Sequence, residues 1–204
     1  MTRKVLLLGA TGLVGRELLP LLLDDPTIAR VVVLARRPLG ITHAKLEEHP
    51  FALDERLFAV DQIFCALGTT MRVAGSEEKF RHVDHDLPIE AAKLGFAHGA
   101  THYLLVSSHG ASARSRVFYN RVKGETENDL LAHGHRSVTI ARPSFLRGAR
   151  EEFRLGERIV LALGWLMPKS VKPVDVRRVA RALAEAAREN RPGVRILTSR
   201  EMQR

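Results

Sequence analysis

The chain has 204 residues, of which 45% are apolar, and this length and composition predict one globular domain over residues 1–204. The 32 Lys and Arg outnumber the 23 Asp and Glu and give a net charge of +9, but they are spread along the chain with few aromatics among them, which disfavours nucleic-acid binding. No apolar run reaches the roughly 18 residues of a membrane span, and a single cysteine excludes an internal disulfide framework. We therefore expect a cytoplasmic protein without a membrane span.

The chain starts with the pattern of a strand, a glycine turn and a helix. Residues 5–8 are an unbroken apolar run, typical of a strand in a parallel sheet, and apolar residues then recur at helical spacing over 13–22. Glycine in the turn allows a sharp reversal and close backbone approach to a diphosphate, which the helix N-terminus attracts. The turn thus predicts a dinucleotide site, a purely structural turn being the alternative. The residues assigned to this site are Gly9, Thr11, Gly12, Leu13, Val14 and Gly15.

Two arginines follow the second predicted strand, residues 31–35. A site selective for NAD carries an acidic residue about 20 residues beyond the glycine turn, where it holds the ribose 2′-hydroxyl. This chain has Arg36 and Arg37 there instead, and a guanidinium pairs well with a 2′-phosphate. We predict a preference for NADP, with an ordinary arginine-rich surface loop as the alternative. No element can be placed with certainty over 39–57.

A third strand is predicted over 60–67. It ends at Leu67 and Gly68, where the sheet would pass the diphosphate and ribose of the cofactor. Cys65 lies within this apolar run, and we interpret it as core packing rather than a reactive thiol.

A helical pattern occupies residues 76–99. Pro88 either kinks this helix or marks the start of its second half. Asp84 and Asp86 could face a cofactor, but acidic residues early in a helix are common without any function. The histidines of this segment lack the arrangement of a metal-ligand set, so no metal site is predicted.

A strand over 102–108 ends in Ser107 and Ser108, and the helix predicted after it carries Tyr119 and Lys123. Residues four apart share one helix face, so the ammonium would favour the phenolate and bring proton exchange nearer to neutral pH. A serine at the strand end can hold the substrate oxygen, and the pattern does not decide which of the two serines does so. The alternative is an ordinary helix in which the tyrosine packs and the lysine is solvated.

The remaining residues predict the end of the sheet and a cover for the site. A strand over 137–141 precedes Arg142 and Pro143, which we expect to cover the nicotinamide end of the cofactor. Residues 146–172 are expected to form a short lid over the substrate.

Asp175 is a candidate cap for a helix over 176–189, and residues 194–198 predict a last strand. Strands that alternate with helices throughout predict an α/β fold, a doubly wound parallel sheet in three α/β/α layers.

Several segments resemble the short-chain dehydrogenase/reductase superfamily, whose sheet is a Rossmann fold. They are GATGLVG at 9–15, ARR at 35–37, VSSHGA at 106–111, YNRVK at 119–123, ARP at 141–143 and PVDVRRVARAL at 173–183. The stretch from SSHGA to KGETE looks like an atypical branch that includes the Tat-interacting oxidoreductase homologues and small bacterial relatives. The resemblance implies bound NADP(H), Tyr119 as acid/base, Lys123 on the nicotinamide ribose, and Ser107 or Ser108 orienting the substrate.

Two functions fit this pattern. The leading hypothesis is an NADP(H)-dependent oxidoreductase that acts on a small carbonyl or alcohol. The alternative is a non-catalytic NADP(H)-binding module that reports redox state to a protein partner.

Overall fold

The computed structural model describes residues 2–147 and 172–203. Its strands are β1 (Arg3–Leu8), β2 (Ile28–Ala35), β3 (Leu46–Pro50), β4 (Gln62–Cys65), β5 (His102–Val106), β6 (Ser137–Arg142), β7 (Leu146–Arg147), β8 (Val174–Asp175) and β9 (Gly193–Thr198). The helices are α1 (Leu13–Leu23), α2 (Met71–Ala74), α3 (Glu77–Arg81), α4 (Leu87–Ala97), α5 (Phe118–Leu131) and α6 (Val176–Glu189). A 3₁₀ turn covers Glu55–Phe58 and a π turn covers His82–Asp86.

A seven-stranded, wholly parallel sheet in the order β3-β2-β1-β4-β5-β6-β9 is the centre of the fold. Its central strands are buried on both faces: Val5 and Leu7 of β1 pack with α1 and α6, while Leu6 and Leu8 pack with α4 and α5. The prediction of a doubly wound α/β/α fold is confirmed. The strand order reverses between β1 and β4, so a crevice opens beyond the carboxyl ends of these two strands.

Three strands of the fold, β3, β7 and β8, were not predicted from the sequence. β3 (LEEHP) has no apolar run, and it is an edge strand whose residues are half-buried or exposed and which pairs with β2. β7 and β8 pair over only two residues, too few to show a period. The helical pattern at 151–167 and most of the expected lid lie outside the described residues. No helix in the described ranges has the length and apolar character needed to cross a membrane.

Pro88 explains the irregular course of the helix that precedes α4. It has no N–H to donate to the carbonyl of Asp84, its partner at α-helical spacing. The backbone widens there into a π turn, and the hydroxyl of Thr126 in α5 donates to the same carbonyl at 2.9 Å. α4 begins at Leu87, which confirms that Pro88 marks the second half of this helix.

A buried carboxylate joins α6 to the sheet, at the opposite end from the crevice. Asp25 is 3% exposed and accepts hydrogen bonds from the backbone and hydroxyl of Thr27, at 2.8 and 2.6 Å, and from Arg188 at 2.7 Å. Arg3 of β1 lies 3.4 Å away. Burial alone would raise the pKa of Asp25, but these donors, led by Arg188, lower it to about 2.

We predict that Asp25→Ala lowers the free energy of unfolding by about 3 kcal/mol, because it leaves buried donors without an acceptor. Arg188→Ala should cost about 1 kcal/mol or less, since the side chain of Arg188 is 53% exposed. Urea unfolding at pH 7 measures both values. The contribution of Asp25 should be lost as the pH falls from 3.8 to about 2, because its pKa in the folded state is lowered. Equal costs for the two variants would contradict this assignment.

Candidate functional site

The glycine turn between β1 and α1 lies at the crevice, and its backbone packs closely against neighbouring backbone atoms. Gly9 has a φ of +83°, and a Cβ there would lie 2.4 Å from the carbonyl oxygen of Ala66, just beyond β4. A Cβ on Gly15 would lie 2.1 Å from the carbonyl oxygen of Gly9. Both glycines are therefore required by the packing of the protein itself. A Cβ on Gly12 would lie 3.2 Å from the same oxygen, which is tight but not a severe overlap.

The N-terminus of α1 has no side-chain cap. The N-cap residue is Gly12, and the first turn contains no acidic side chain. In α6, by contrast, Asp175 caps the helix as predicted and accepts a hydrogen bond from the N–H of Arg177 at 2.8 Å. An uncapped helix start offers N–H groups and a partial positive charge to an anion. The turn and α1 together therefore fit a pyrophosphate.

Arg36 and Arg37 lie at the carboxyl end of β2, next to β1 in the sheet. Both side chains are exposed, and within the described part of the chain no hydrogen bond or ion pair engages either guanidinium. Their position beside the glycine turn leaves them able to pair with an anion bound there.

Lys123 of α5 points into the protein rather than into solvent. Its ammonium lies 2.7 Å from Oδ1 of Asp84, and the two side chains are 5% and 1% exposed. Oδ2 of Asp84 accepts a hydrogen bond from the backbone N–H of Thr69 at 2.8 Å. A Cβ on Gly68 would lie 3.5 Å from Oδ1 and 3.9 Å from Nζ, so the pair lies directly beside the end of β4. The alternative of a solvated lysine is wrong.

The pair keeps Lys123 charged. Burial lowers the pKa of its ammonium, but the charges of Asp84 and then Tyr119 outweigh that effect, and the pKa lies above its usual value. Tyr119 lies one helical turn before Lys123 on α5. Its ring packs against the buried Phe80 of α3, with 5.4 Å between the ring centroids.

The two serines after β5 differ in their contacts. Ser107 donates to Oε1 of Glu127 at 2.5 Å, and Glu127 is 2% exposed. The guanidinium of Arg142 donates from Nε to both oxygens of Glu127, at 3.0 and 3.1 Å. Ser108 is also buried, but its hydroxyl has no hydrogen-bond partner among the described residues. Ser107 is therefore paired with Glu127, whereas the buried hydroxyl of Ser108 is unpaired among the described residues.

Pro143 lies beside these serines. Its carbonyl oxygen accepts the N–H of His109 at 2.7 Å, which joins the loops after β5 and β6. Arg142, expected near the nicotinamide, directs its guanidinium to Glu127 instead.

Sequence reasoning missed the roles of Asp84 and Glu127. Glu127 lies four residues after Lys123, so helical spacing alone places both charges on the buried face of α5. Asp84 lies four residues before Pro88, the position whose carbonyl a proline leaves without an α-helical donor. These two four-residue spacings are the features of the sequence that indicate the contacts of Asp84 and Glu127.

Two other reactive side chains, those of Cys65 and His85, lie in packed or paired positions. Cys65 is 1% exposed, and burial raises the pKa of its thiol. His85 contacts carboxylates of Asp86 and Asp129, each at 2.8 Å. Across the described ranges no group of three or more His, Cys, Asp or Glu is arranged to hold a metal ion.

Comparison with known proteins identifies relatives by sequence. No family model matches the chain. Protein FMP52, mitochondrial, from Coccidioides immitis is 35% identical over 205 residues, covering 88% of this chain and 83% of that protein. The protein of the same name from Eremothecium gossypii is 35% identical over 213 residues, covering 97% and 94%. Both relatives are named mitochondrial, which contradicts the predicted cytoplasmic location.

Solved structures share the fold at low sequence identity. MoeE5 in complex with UDP-glucuronic acid and NAD has a TM-score of 0.76 and 20% identity, over 95% of this chain and 75% of that one. WbmH from Bordetella bronchiseptica in complex with NAD⁺ has a TM-score of 0.73 and 15% identity, over 98% and 76%. They confirm the Rossmann-like architecture.

The sequence relatives also correct the resemblance to the Tat-interacting branch, because the proteins that match at family level carry the FMP52 name. Their identity of 35% extends over 83% to 94% of the relatives' own length. The chain belongs to the FMP52 family.

Proposed function

We propose that the protein is an NADP(H)-dependent oxidoreductase of the short-chain dehydrogenase/reductase type, acting on a small carbonyl or alcohol. The observation that carries the proposal is the buried, charged Lys123 beside Gly68, at the same edge of the sheet as the uncapped N-terminus of α1. NAD-bound neighbours with the same fold support a nicotinamide dinucleotide in this crevice.

Tyr119, Ser108 and Lys123 each have a role in the proposed reaction. A bound nicotinamide would supply the hydride acceptor or donor. In the direction of oxidation, a hydride leaves the carbinol carbon while the hydroxyl proton passes to Tyr119 as the carbonyl forms. Ser108 would hold the substrate oxygen, since its hydroxyl is the one without a partner. The ammonium of Lys123 would bind the nicotinamide ribose.

One observation favours the second candidate, a non-catalytic NADP(H)-binding module that acts through a protein partner. Lys123 is already paired with Asp84 at 2.7 Å, and the ring of Tyr119 packs against Phe80. A module of this kind needs the glycine turn and the lysine but not Ser108 or Tyr119. It predicts tight NADPH binding without turnover of aldehydes, ketones or quinones.

The first prediction of this proposal concerns cofactor choice. Calorimetry should show that NADP binds about tenfold more tightly than NAD, equal to about 1.4 kcal/mol, because a guanidinium pairs with the 2′-phosphate. Arg36→Ala should remove most of this preference. Arg30→Ala is the matched control, since Arg30 lies near the start of β2 and pairs with Glu47. Equal affinities of the wild type for NADP and NAD would refute the preference.

The second prediction separates packing from ligand binding in the glycine turn. Gly15→Ala should lower the free energy of unfolding by about 3 kcal/mol, because its Cβ overlaps the oxygen of Gly9. Gly12→Ala should cost about 1 kcal/mol or less and yet weaken NADPH binding by about tenfold, because the methyl group occupies the path of the diphosphate. Urea unfolding and calorimetry give the two quantities. Unchanged NADPH affinity in Gly12→Ala would place the dinucleotide elsewhere.

The third prediction tests the catalytic assignment with NADPH and a panel of aldehydes, ketones and quinones. Tyr119→Phe should lower kcat by about 10²–10⁴ and leave NADPH affinity nearly unchanged, because only proton transfer is lost. Ser108→Ala should lower kcat by about 10².

Ser107→Ala provides the control for the serine assignment. It should leave kcat close to the wild-type value and lower the free energy of unfolding by about 1.5 kcal/mol, because Glu127 loses a donor. A larger loss of kcat in Ser107→Ala than in Ser108→Ala would reverse the assignment. Wild-type kcat in Tyr119→Phe would show that the tyrosine is not the acid/base.

A further inference from the structure

We propose that Asp84 is a positioning residue that prepares Lys123 and the loop after β4 for the dinucleotide before it binds. The inference rests on the proposed function and adds a residue to it. Asp84 is 1% exposed and is not placed to touch a ligand itself, so its effect must pass through its two partners, Lys123 and Thr69.

Asp84 is fixed from several sides. The carboxylate accepts the N–H of Thr69 at 2.8 Å and contacts the ammonium of Lys123 at 2.7 Å. Its carbonyl accepts the hydroxyl of Thr126 at 2.9 Å, in place of the donor that Pro88 lacks. In the π turn, hydrogen bonds and ionic contacts therefore hold both the backbone and the side chain of Asp84. π turns in helices frequently occur at functional sites.

Lys123 needs a fixed partner such as Asp84 if its ammonium is to bind a ligand at a defined position. Its four-carbon stem is flexible, and a single contact to a rigid acceptor limits where the ammonium can lie. With Asp84 on one side, the ammonium of Lys123 stays beside Gly68: a Cβ on Gly68 would lie 3.9 Å from Nζ, and the Lys123 side chain is 5% exposed. The bond to Thr69 fixes the next residue of the same loop, so one carboxylate sets both the lysine and the loop.

Stability alone does not explain the pair. Replacing a buried ion pair by apolar residues of similar volume is often neutral or stabilising, whereas removing one partner is costly. The pair lies at the crevice, next to the exposed Gly68 in the loop after β4. Its location and its arrangement of partners favour a role in binding.

The test is a double-mutant cycle on the full chain with Asp84→Asn, Lys123→Met and the double variant. Asp86→Asn is the matched control, because Asp86 lies on the same π turn but is half exposed and pairs with His85. Calorimetry gives the dissociation constants for NADPH and NADH, and urea unfolding at pH 7.5 shows that each variant is folded.

We expect Asp84→Asn to raise the dissociation constant about tenfold, Asp86→Asn to leave it unchanged, and the double variant to bind no more weakly than Lys123→Met alone. The double variant should also be more stable than either single variant, so its binding can be measured even if Asp84→Asn unfolds.

Wild-type affinity in Asp84→Asn, or losses that add independently in the double variant, would overturn the role of Asp84 while leaving the proposed function intact. Full affinity in Lys123→Met, or a wild type that binds neither dinucleotide, would overturn the proposed function together with this inference.

Discussion

A buried ammonium requires a counter-charge. In this protein that requirement joins Lys123 of α5 to Asp84 of the π turn, at the edge of the crevice. The pair between Lys123 and Asp84, 2.7 Å apart, sets where α5 lies relative to the end of β4. Asp84 reaches this position because the helix before α4 contains a π turn, and the π turn accommodates the missing N–H of Pro88. Asp84 and Pro88, four residues apart, thus form one arrangement with Lys123, which is distant in the chain.

The same face of α5 carries a second buried charge of opposite sign. Glu127 receives hydrogen bonds from Ser107 and Arg142, which hold α5 to the ends of β5 and β6. The contact of Lys123 with Asp84 and the contact of Glu127 with Arg142 therefore attach α5 to the π turn and to the end of β6. Ser108, whose buried hydroxyl has no hydrogen-bond partner among the described residues, and the partly exposed Tyr119 take part in neither contact.

The sequence was sufficient for those parts of the fold that depend on local periodicity. The buried runs of β1 and β2 and the helical spacing of α1 and α6 predicted the doubly wound sheet, because burial on both faces leaves an uninterrupted apolar signature. β3 was missed because an edge strand is stabilised by backbone pairing rather than by apolar residues. The roles of Asp84 and Glu127 were missed because each depends on a partner at least fifteen residues away, which no local pattern reveals. The predicted cytoplasmic location rested on composition, which carries no targeting information, and it is contradicted by relatives that are named mitochondrial.

The central claim is that a nicotinamide dinucleotide lies across the carboxyl ends of β1 and β4. A crystal structure of the protein with NADP tests it most directly. The account predicts a pyrophosphate against the N-terminus of α1 at Gly12, the ribose within hydrogen-bond reach of Nζ of Lys123, and the 2′-phosphate beside Arg36. A dinucleotide bound away from the glycine turn, or a ribose that leaves Lys123 without contact, would contradict it.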